Sequence, residues 1–331
     1  MKNIFPTLRL NKENTYLDNA ASSLKIKAVI KSISNFYNFF SLNNHSFSEN
    51  IIHNTIEKTI NETRVLISNW INGKPSEISF IPSATYGLNI LALSVCDFIK
   101  NDDLILITKL EHSSNIYPWI NICNKKGAKI DYFDLNEQFQ IDEKKIAERI
   151  SKKVKVVSFS HVSNNVGSLN NVYVISNIIK KKNPDCFIII DASQSISSEL
   201  IDVRECQIDA LVFSAHKVYG PTGIGVLWVK SESEKKLPHI LWGGGKIISP
   251  LSYNQNNSSL QQVSYNKFEV GSLPLAQIFG LKEVFLFLNS INWKKKKKKE
   301  KELLKYAVLK MSEIQNIKIY NKNLSNNIIG S

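Results

Sequence analysis

Short runs of apolar, β-branched residues alternate along this chain with longer stretches in which apolar residues recur at helical spacing. This alternation predicts an α/β sheet whose strands are joined by helical crossovers. Most predicted strands are apolar at every position, as expected of parallel strands buried on both faces. The six predicted strands are Glu77–Ile81, Leu104–Thr108, Val154–Phe159, Phe187–Asp191, Ala210–Ser214 and Gly225–Val229.

Seven longer stretches have the 3.6-residue apolar period of helices. They are Ile51–Trp70, Gly87–Phe98, Ile116–Lys126, Glu143–Ser151, Val172–Lys182, Leu275–Leu288 and Trp293–Ser312. The Gln-, Asn- and Ser-rich residues 252–264 predict a long surface loop. No apolar run approaches the roughly 18 to 20 residues of a membrane-spanning helix, so we expect no membrane partner. Polar residues from Arg9 onward also predict no secretory leader.

The net charge of +13 comes from 42 Lys and Arg against 29 Asp and Glu. A basic balance can indicate a nucleic-acid partner, but here lysine supplies nearly all of the positive charge. Lys, Asn, Ile, Phe and Tyr share A/T-rich codons, so genome composition explains the charge and we expect no nucleic-acid partner. The run Lys294–Lys299 continues into a helical pattern, which favours a solvated helix face over a polyanion-binding patch. The four cysteines have no CxxC spacing and indicate a reducing, cytoplasmic environment.

Candidate chemistry follows five of the six predicted strands, where ligands bind in open α/β sheets. The turn Ser83-Ala84-Thr85 precedes a helix, so its backbone N–H groups can bind a phosphate. The other polar groups at strand ends are His112, Asn164, Asp191, Gln194, Ser214, His216 and Lys217. Each has an ordinary alternative when taken alone: Asp191 could cap a helix, His112 could be structural, and Lys217 could be a solvated surface lysine.

Together these groups match the needs of pyridoxal 5′-phosphate, which uses a lysine, a carboxylate and a phosphate-binding helix start. Lys217 would bond to the aldehyde of the cofactor and later act as a general base. Asp191 would keep the ring nitrogen protonated. Gln194 and Asn164 could reach the phenolic oxygen of the ring.

Several segments also match a known family in order and spacing. They are 16–22 (YLDNAAS), 111–119 (EHSSNIYPW), 161–164 (HVSN), 213–225 (FSAHKVYGPTGIG), 242–245 (WGGG) and 268–272 (FEVGS). The chain resembles the class V aminotransferase superfamily, and within it the Suf-type cysteine desulfurases, from about residue 5 to its last residue. The resemblance implies a PLP-dependent transferase type I fold, with a mostly parallel seven-stranded sheet sandwiched by helices. It also implies an N-terminal segment over 1–16, a large cofactor-binding domain over 17–282, and the start of an incomplete small α/β domain over 283–331.

The resemblance implies a role for each candidate residue. Lys217 would bond to the cofactor, His112 would stack on its ring and shuttle protons, and Asp191 would hold the ring nitrogen. Ser272 would reach the phosphate of a neighbouring subunit, which predicts a homodimer with sites at its interface. The remaining roles are a contact with the phenolic oxygen for Gln194, a ring or substrate contact for Asn164, and phosphate contacts for the Ala84 backbone, Thr85, Ser214 and His216.

The implied reaction removes sulfur from L-cysteine, leaves alanine, and passes a persulfide to an acceptor protein of iron–sulfur cluster assembly. Three departures leave other functions open. The family's Arg-x-Gly-His-His-Cys segment has no counterpart here, and neither do the arginines that bind the substrate carboxylate. Asn43-Asn44-His45-Ser46 replaces the family's His-Arg segment. We expect all four cysteines of this chain to be structural. One alternative is a pseudo-enzyme or partner subunit that binds the cofactor without releasing sulfur. Another alternative is a selenocysteine lyase-like enzyme. A frameshift in the A-rich tract that encodes Lys294–Lys299 would explain the incomplete small domain.

Overall fold

The structure is a computed structural model that describes residues 3–10, 13, 15–40, 51–243 and 267–320. The predicted loop 252–264, the segment Asn43–Ser46 and the residues Gly244 and Gly245 lie outside the described residues.

Seven strands form one sheet in the order β1-β7-β6-β5-β4-β2-β3. They are β1 Ile78–Ile81, β2 Leu104–Ile107, β3 Lys129–Tyr132, β4 Val154–Ser160, β5 Phe187–Asp191, β6 Ala210–Ser214 and β7 Gly225–Val229. Strand β7 pairs antiparallel with both neighbours, and the other paired strands are parallel. The six predicted strands are confirmed within two residues at each end.

Strand β3 was absent from the sequence prediction for a physical reason. Its four residues alternate polar and apolar, and it forms an edge of the sheet that is only partly buried. Such a strand lacks the continuous apolar run by which the central strands are found.

Ten α-helices connect and cover the strands in the described part of the chain. They are α1 Pro6–Leu10, α2 Lys27–Phe39, α3 Ile51–Ile71, α4 Ala84–Val95, α5 Tyr117–Lys126, α6 Ile146–Arg149, α7 Val172–Lys182, α8 Ser231–Glu234, α9 Leu275–Asn289 and α10 Trp293–Ser312. The prediction started α4 three residues too late because it treated Ser83–Tyr86 as a turn. The Ser83 hydroxyl accepts a hydrogen bond from the Tyr86 N–H at 3.2 Å and caps the helix. The prediction also missed α2, α1 and α8, and it made α6 too long.

The strands place alternate side chains into two hydrophobic layers. In β5, Ile188 and Ile190 join one layer with residues of α2, α3, α7 and α9, while Ile189 joins the other with residues of α4 and α5. The predicted sheet sandwiched by helices is therefore confirmed. No described helix is long and apolar enough to cross a membrane. The domain limits 1–16, 17–282 and 283–331 stay a prediction.

Candidate active site

A cavity of about 450 Å³ opens at the edge of the sheet where the parallel strands end. Nine of the ten predicted site residues line it: Ala84, Thr85, His112, Asn164, Asp191, Gln194, Ser214, His216 and Lys217. The structure therefore brings together groups that are up to 133 residues apart in sequence. Ala20, Ala21, Ser114 and Ser193 complete the lining, and none of them is among the residues predicted from the sequence.

The start of α4 and the end of β6 meet at one side of the cavity. The backbone N–H of Ala84 donates to the Ser214 hydroxyl at 2.8 Å, and the hydroxyls of Thr85 and Ser114 lie 2.7 Å apart. Gly225 permits this approach, because a Cβ there would lie 2.7 Å from the Phe213 carbonyl oxygen and 3.1 Å from the Ser83 backbone. Hydroxyl groups thus surround the N-terminus of a twelve-residue helix, where the helix dipole stabilises an anion.

His112 lines the cavity just before the short turn Ser113–Asn115. Its Nδ1 accepts a hydrogen bond from the Ser114 N–H at 3.2 Å and lies 3.0 Å from the Ser114 hydroxyl. Because Nδ1 accepts, this hydrogen bond assigns the proton of a neutral ring to Nε2.

A buried polar network lies behind this turn, centred on the Glu111 carboxyl group. The hydroxyls of Thr108 and Ser160 each donate to it at 2.6 Å, and the Asn115 amide donates at 2.7 Å. Burial raises the pKa of Glu111 despite these donors. The network ties the His112 turn to the end of β4.

Asp191 and Gln194 lie at the end of β5. Asp191 is buried, and its Oδ1 accepts a hydrogen bond from the Ser193 N–H at 2.9 Å. Gln194 donates one amide hydrogen to the Ala20 carbonyl oxygen at 2.7 Å, which fixes the N-terminal segment against the cavity. Asn164 lines the opposite part of the cavity, and its buried Oδ1 has no hydrogen-bond partner among the described residues.

Lys217 ends the turn Ala215–Lys217, which directly follows β6. Burial, and then the charges of Lys217 and Lys25, lower the pKa of His216. The His216 imidazole is therefore neutral at physiological pH. This turn also requires glycine at position 220, because a Cβ there would lie only 2.9 Å from the Ala215 carbonyl oxygen.

Ser272 is exposed and lies outside the cavity. An ion pair holds the segment before it, since Arg64 and Glu269 lie 2.7 Å apart and both side chains are largely buried. Glu269 also accepts a hydrogen bond from the Phe80 N–H of β1 at 2.6 Å. The predicted contact of Ser272 with a neighbouring subunit stays a prediction.

No cysteine or arginine of the described residues lines this cavity. Burial raises the pKa of the Cys123 thiol to about 11 and those of Cys186 and Cys206 to about 12. Cys96 is partly exposed but follows the last residue of α4. Because α4 begins at the cavity and rises about 1.5 Å per residue, Cys96 lies about 18 Å away along the helix.

The lining fits pyridoxal phosphate by its donor set. The cavity combines an amine, a buried carboxylate, hydroxyls at a helix N-terminus and an unpartnered amide oxygen, and its volume falls in the range of small-molecule sites. Fold and site together define an α/β enzyme with a cofactor-binding cavity at the carboxyl edge of its sheet.

Comparisons with known proteins place the chain in a family. The model of the family described as aminotransferase class-V matches residues 15–329, so the chain belongs to this family. A probable cysteine desulfurase of Ureaplasma parvum serovar 3 is 37% identical over 96% of this chain and 78% of its own length. A cysteine desulfurase of Wigglesworthia glossinidia brevipalpis is 37% identical over 98% of this chain and 79% of its own length. The apo structure of a cysteine desulfurase from Thermococcus onnurineus NA1 is similar with a TM-score of 0.89 and 26% identity, covering 99% of this chain and 79% of that one.

Proposed function

We propose that this protein is a pyridoxal-phosphate-dependent cysteine desulfurase, which converts L-cysteine to L-alanine and transfers the sulfur to an acceptor thiol. The observation that carries this proposal is the convergence of Lys217, Asp191 and His112 on one cavity in a class V aminotransferase chain. The similarity to relatives named cysteine desulfurases supports the choice of substrate.

The residues around the cavity divide into groups that would hold different parts of the cofactor. Thr85 and Ser214 lie at the start of α4, His216 lines the same cavity, and these three residues would bind the phosphate. Asp191 would pair with the ring nitrogen, and Asn164 and Gln194 would contact the ring oxygen. When bound, pyridoxal phosphate supplies an aldehyde that bonds to an amine and a protonated ring that withdraws electrons from the substrate Cα.

Lys217 and His112 would accept and donate protons during the reaction. Lys217 would hold the cofactor before the substrate binds, and its amine would afterwards be free to accept the proton from the substrate Cα. His112 lines the cavity with its Nδ1 engaged by Ser114, so Nε2 would be the atom that exchanges a proton. Buried Asp191 would face the ring nitrogen and stabilise a positive charge there.

The overall reaction balances with an acceptor thiol. The Cβ–S bond of cysteine breaks and Cβ gains a hydrogen, while the sulfur forms an S–S bond with the acceptor, giving alanine and a persulfide. The acceptor sulfur is oxidised as the cysteine carbon is reduced. We assign the acceptor thiol to a separate protein of iron–sulfur cluster assembly, since the cysteines of this chain are buried or distant from the cavity.

The protein acts as a cytoplasmic homodimer in this proposal, with Ser272 of each subunit contributing to the neighbouring site. The exposure of Ser272 and the ion-paired anchoring of its segment support this arrangement.

The test is turnover by purified protein supplied with pyridoxal phosphate, L-cysteine and dithiothreitol. We expect alanine and sulfide in equal amounts, and neither from Lys217→Ala. Cofactor binding without product would support the pseudo-enzyme alternative. A much higher rate with L-selenocysteine than with L-cysteine would support the lyase alternative.

A further inference from the structure

The carbonyl oxygen of His216 is contacted by four donors from one short segment near the N-terminus. These donors are the Ser23 N–H at 2.9 Å, the Ser23 hydroxyl at 3.0 Å, the Lys25 ammonium at 3.0 Å and the Ser22 hydroxyl at 3.3 Å. A carbonyl oxygen has two lone pairs, so four donors exceed what an ordinary turn needs. The segment is separated from His216 by more than 190 residues.

The contacted carbonyl belongs to the peptide that links His216 to Lys217. The six atoms of a peptide unit, from one Cα to the next, lie in one plane. Holding the carbonyl oxygen therefore fixes the orientation of the plane that contains the Lys217 Cα. The four donors thus act on the lysine that lines the cavity rather than on a remote loop.

The same segment also holds the residues that follow Lys217. The Ser23 hydroxyl accepts a hydrogen bond from the Tyr219 N–H at 2.5 Å while it donates to the His216 carbonyl. Tyr219 has φ = 64°, a left-handed conformation that a bulky residue adopts only where its surroundings stabilise it. Ser23 therefore bridges the two sides of Lys217.

Lys25 is the charged member of this group. Its ammonium group also contacts the Ser22 hydroxyl at 3.3 Å and the Ser23 carbonyl oxygen, and its side chain is partly buried. Hydrogen bonds from a charged donor are roughly twice as strong as neutral ones. At the other end of the segment, Gln194 holds the Ala20 carbonyl oxygen, so the segment is fixed on both sides of the cavity.

We propose that Ser22, Ser23 and Lys25 form a clamp that positions Lys217 through the His216 carbonyl, with Lys25 as its principal member. These are positioning residues, since they touch Lys217 only through its neighbours. This inference rests on the proposed function for its catalytic consequence. A misplacement of about 1 Å at a reacting group can reduce a rate by roughly a hundredfold, so the clamp matters for turnover more than for substrate affinity.

The experiment compares Lys25→Met with Lys25→Arg and with the control Lys27→Met, which alters an exposed lysine two residues away. In the holoenzyme, we expect Lys25→Met to lower kcat by about tenfold, with KM for L-cysteine unchanged within twofold. We also expect it to weaken the induced circular dichroism of the bound cofactor at least twofold. Lys25→Arg should restore both signals, and Lys27→Met should match the wild type. Equal values for Lys25→Met and Lys27→Met would overturn the proposal.

A second readout separates the clamp from the proposed function. Hydrogen exchange of the Val218, Tyr219 and Gly220 amides can be followed in cofactor-free protein. We expect the exchange rate of the Tyr219 amide to rise at least fivefold in Lys25→Met and in Ser23→Ala. The Ser23→Ala variant provides the test if Lys25→Met fails to fold. Unchanged exchange in both variants would overturn the clamp, whereas a wild-type protein that binds no cofactor would overturn only the proposed function.

Discussion

The hydroxyl of Ser160 donates a hydrogen bond to the carboxyl group of Glu111 at 2.6 Å, which joins the end of β4 to the loop that follows β2. The two residues are 49 positions apart, and both are buried. Since His112 follows Glu111 directly, the bond fixes the backbone that carries His112, which lines the cavity.

Replacing Glu111 should destabilise the fold according to how many donors are left without an acceptor. Glu111→Leu leaves the hydrogen-bond donors of Thr108, Ser160 and Asn115 without an acceptor. We therefore expect it to lower the free energy of unfolding by about 2 to 4 kcal/mol. Glu111→Gln keeps one acceptor oxygen and the volume, so its cost should be about half as large. Urea denaturation measures both, and equal stability of Glu111→Leu and the wild type would contradict the role of the network.

His161 should make the fold less stable in acid. Burial, and then the nearby charge of Lys297, lower the pKa of His161 from 6.5 to about 3. Between these values the unfolded chain binds a proton that the folded protein does not, so the free energy of unfolding falls as the pH drops from about 6.5 towards 3. Once the unfolded side chain is fully protonated, the slope from this residue approaches about 1.4 kcal/mol per pH unit.

Denaturation of the wild type and of His161→Gln at several pH values isolates this contribution, because the other titrating groups are shared. We expect the slope of the variant to be smaller over the same range. Parallel slopes for the two proteins would show that His161 does not resist protonation.

The sequence could predict most of the sheet and nine of the thirteen residues that line the cavity for one physical reason. Central strands such as β5 are apolar at every position, and the polar residue that ends each one, such as Asp191, must lie at the ligand-binding edge. Edge strand β3 and helix α2 could not be predicted in this way. Strand β3 alternates in polarity, and α2 has only Val29 and Phe36 fully buried.

The contacts between the segments could not be predicted in the same way. The four donors on the His216 carbonyl depend on how the N-terminal segment folds back across the sheet, which no local pattern encodes. Ser114 lies within the quoted segment 111–119, but only the structure shows it 2.7 Å from Thr85. The prediction that Ser272 serves a neighbouring subunit depends on a contact between two chains.

Asp191→Asn should reduce kcat by about a hundredfold to a thousandfold. The amide oxygen of asparagine can still accept the hydrogen bond from the Ser193 N–H, so the fold should persist, but the negative charge at the end of β5 is lost. Steady-state kinetics with L-cysteine measures the effect. The matched control is Asp185→Asn, which removes an exposed carboxylate just before the start of β5 and should leave kcat unchanged. Similar kcat values for the two variants would contradict the assigned role of Asp191.

Cys96→Ala should leave desulfuration with an external thiol unchanged within about twofold. Cys96 is the most exposed of the four cysteines, and burial keeps the Cys123, Cys186 and Cys206 thiols protonated at neutral pH. Sulfide release in the presence of dithiothreitol is the measurement. A loss of more than tenfold would identify Cys96 as a sulfur-accepting residue and contradict the assignment of that role to a separate protein.

We propose that Lys217 bonds to pyridoxal phosphate in the cavity at the carboxyl edge of the sheet. Borohydride reduction of the cofactor-loaded protein, followed by peptide mapping with mass spectrometry, tests it directly, and the many other lysines of the chain serve as internal controls. We predict a single stoichiometric label on Lys217. A label spread over surface lysines, a label at Lys25, or no label at all would contradict the account.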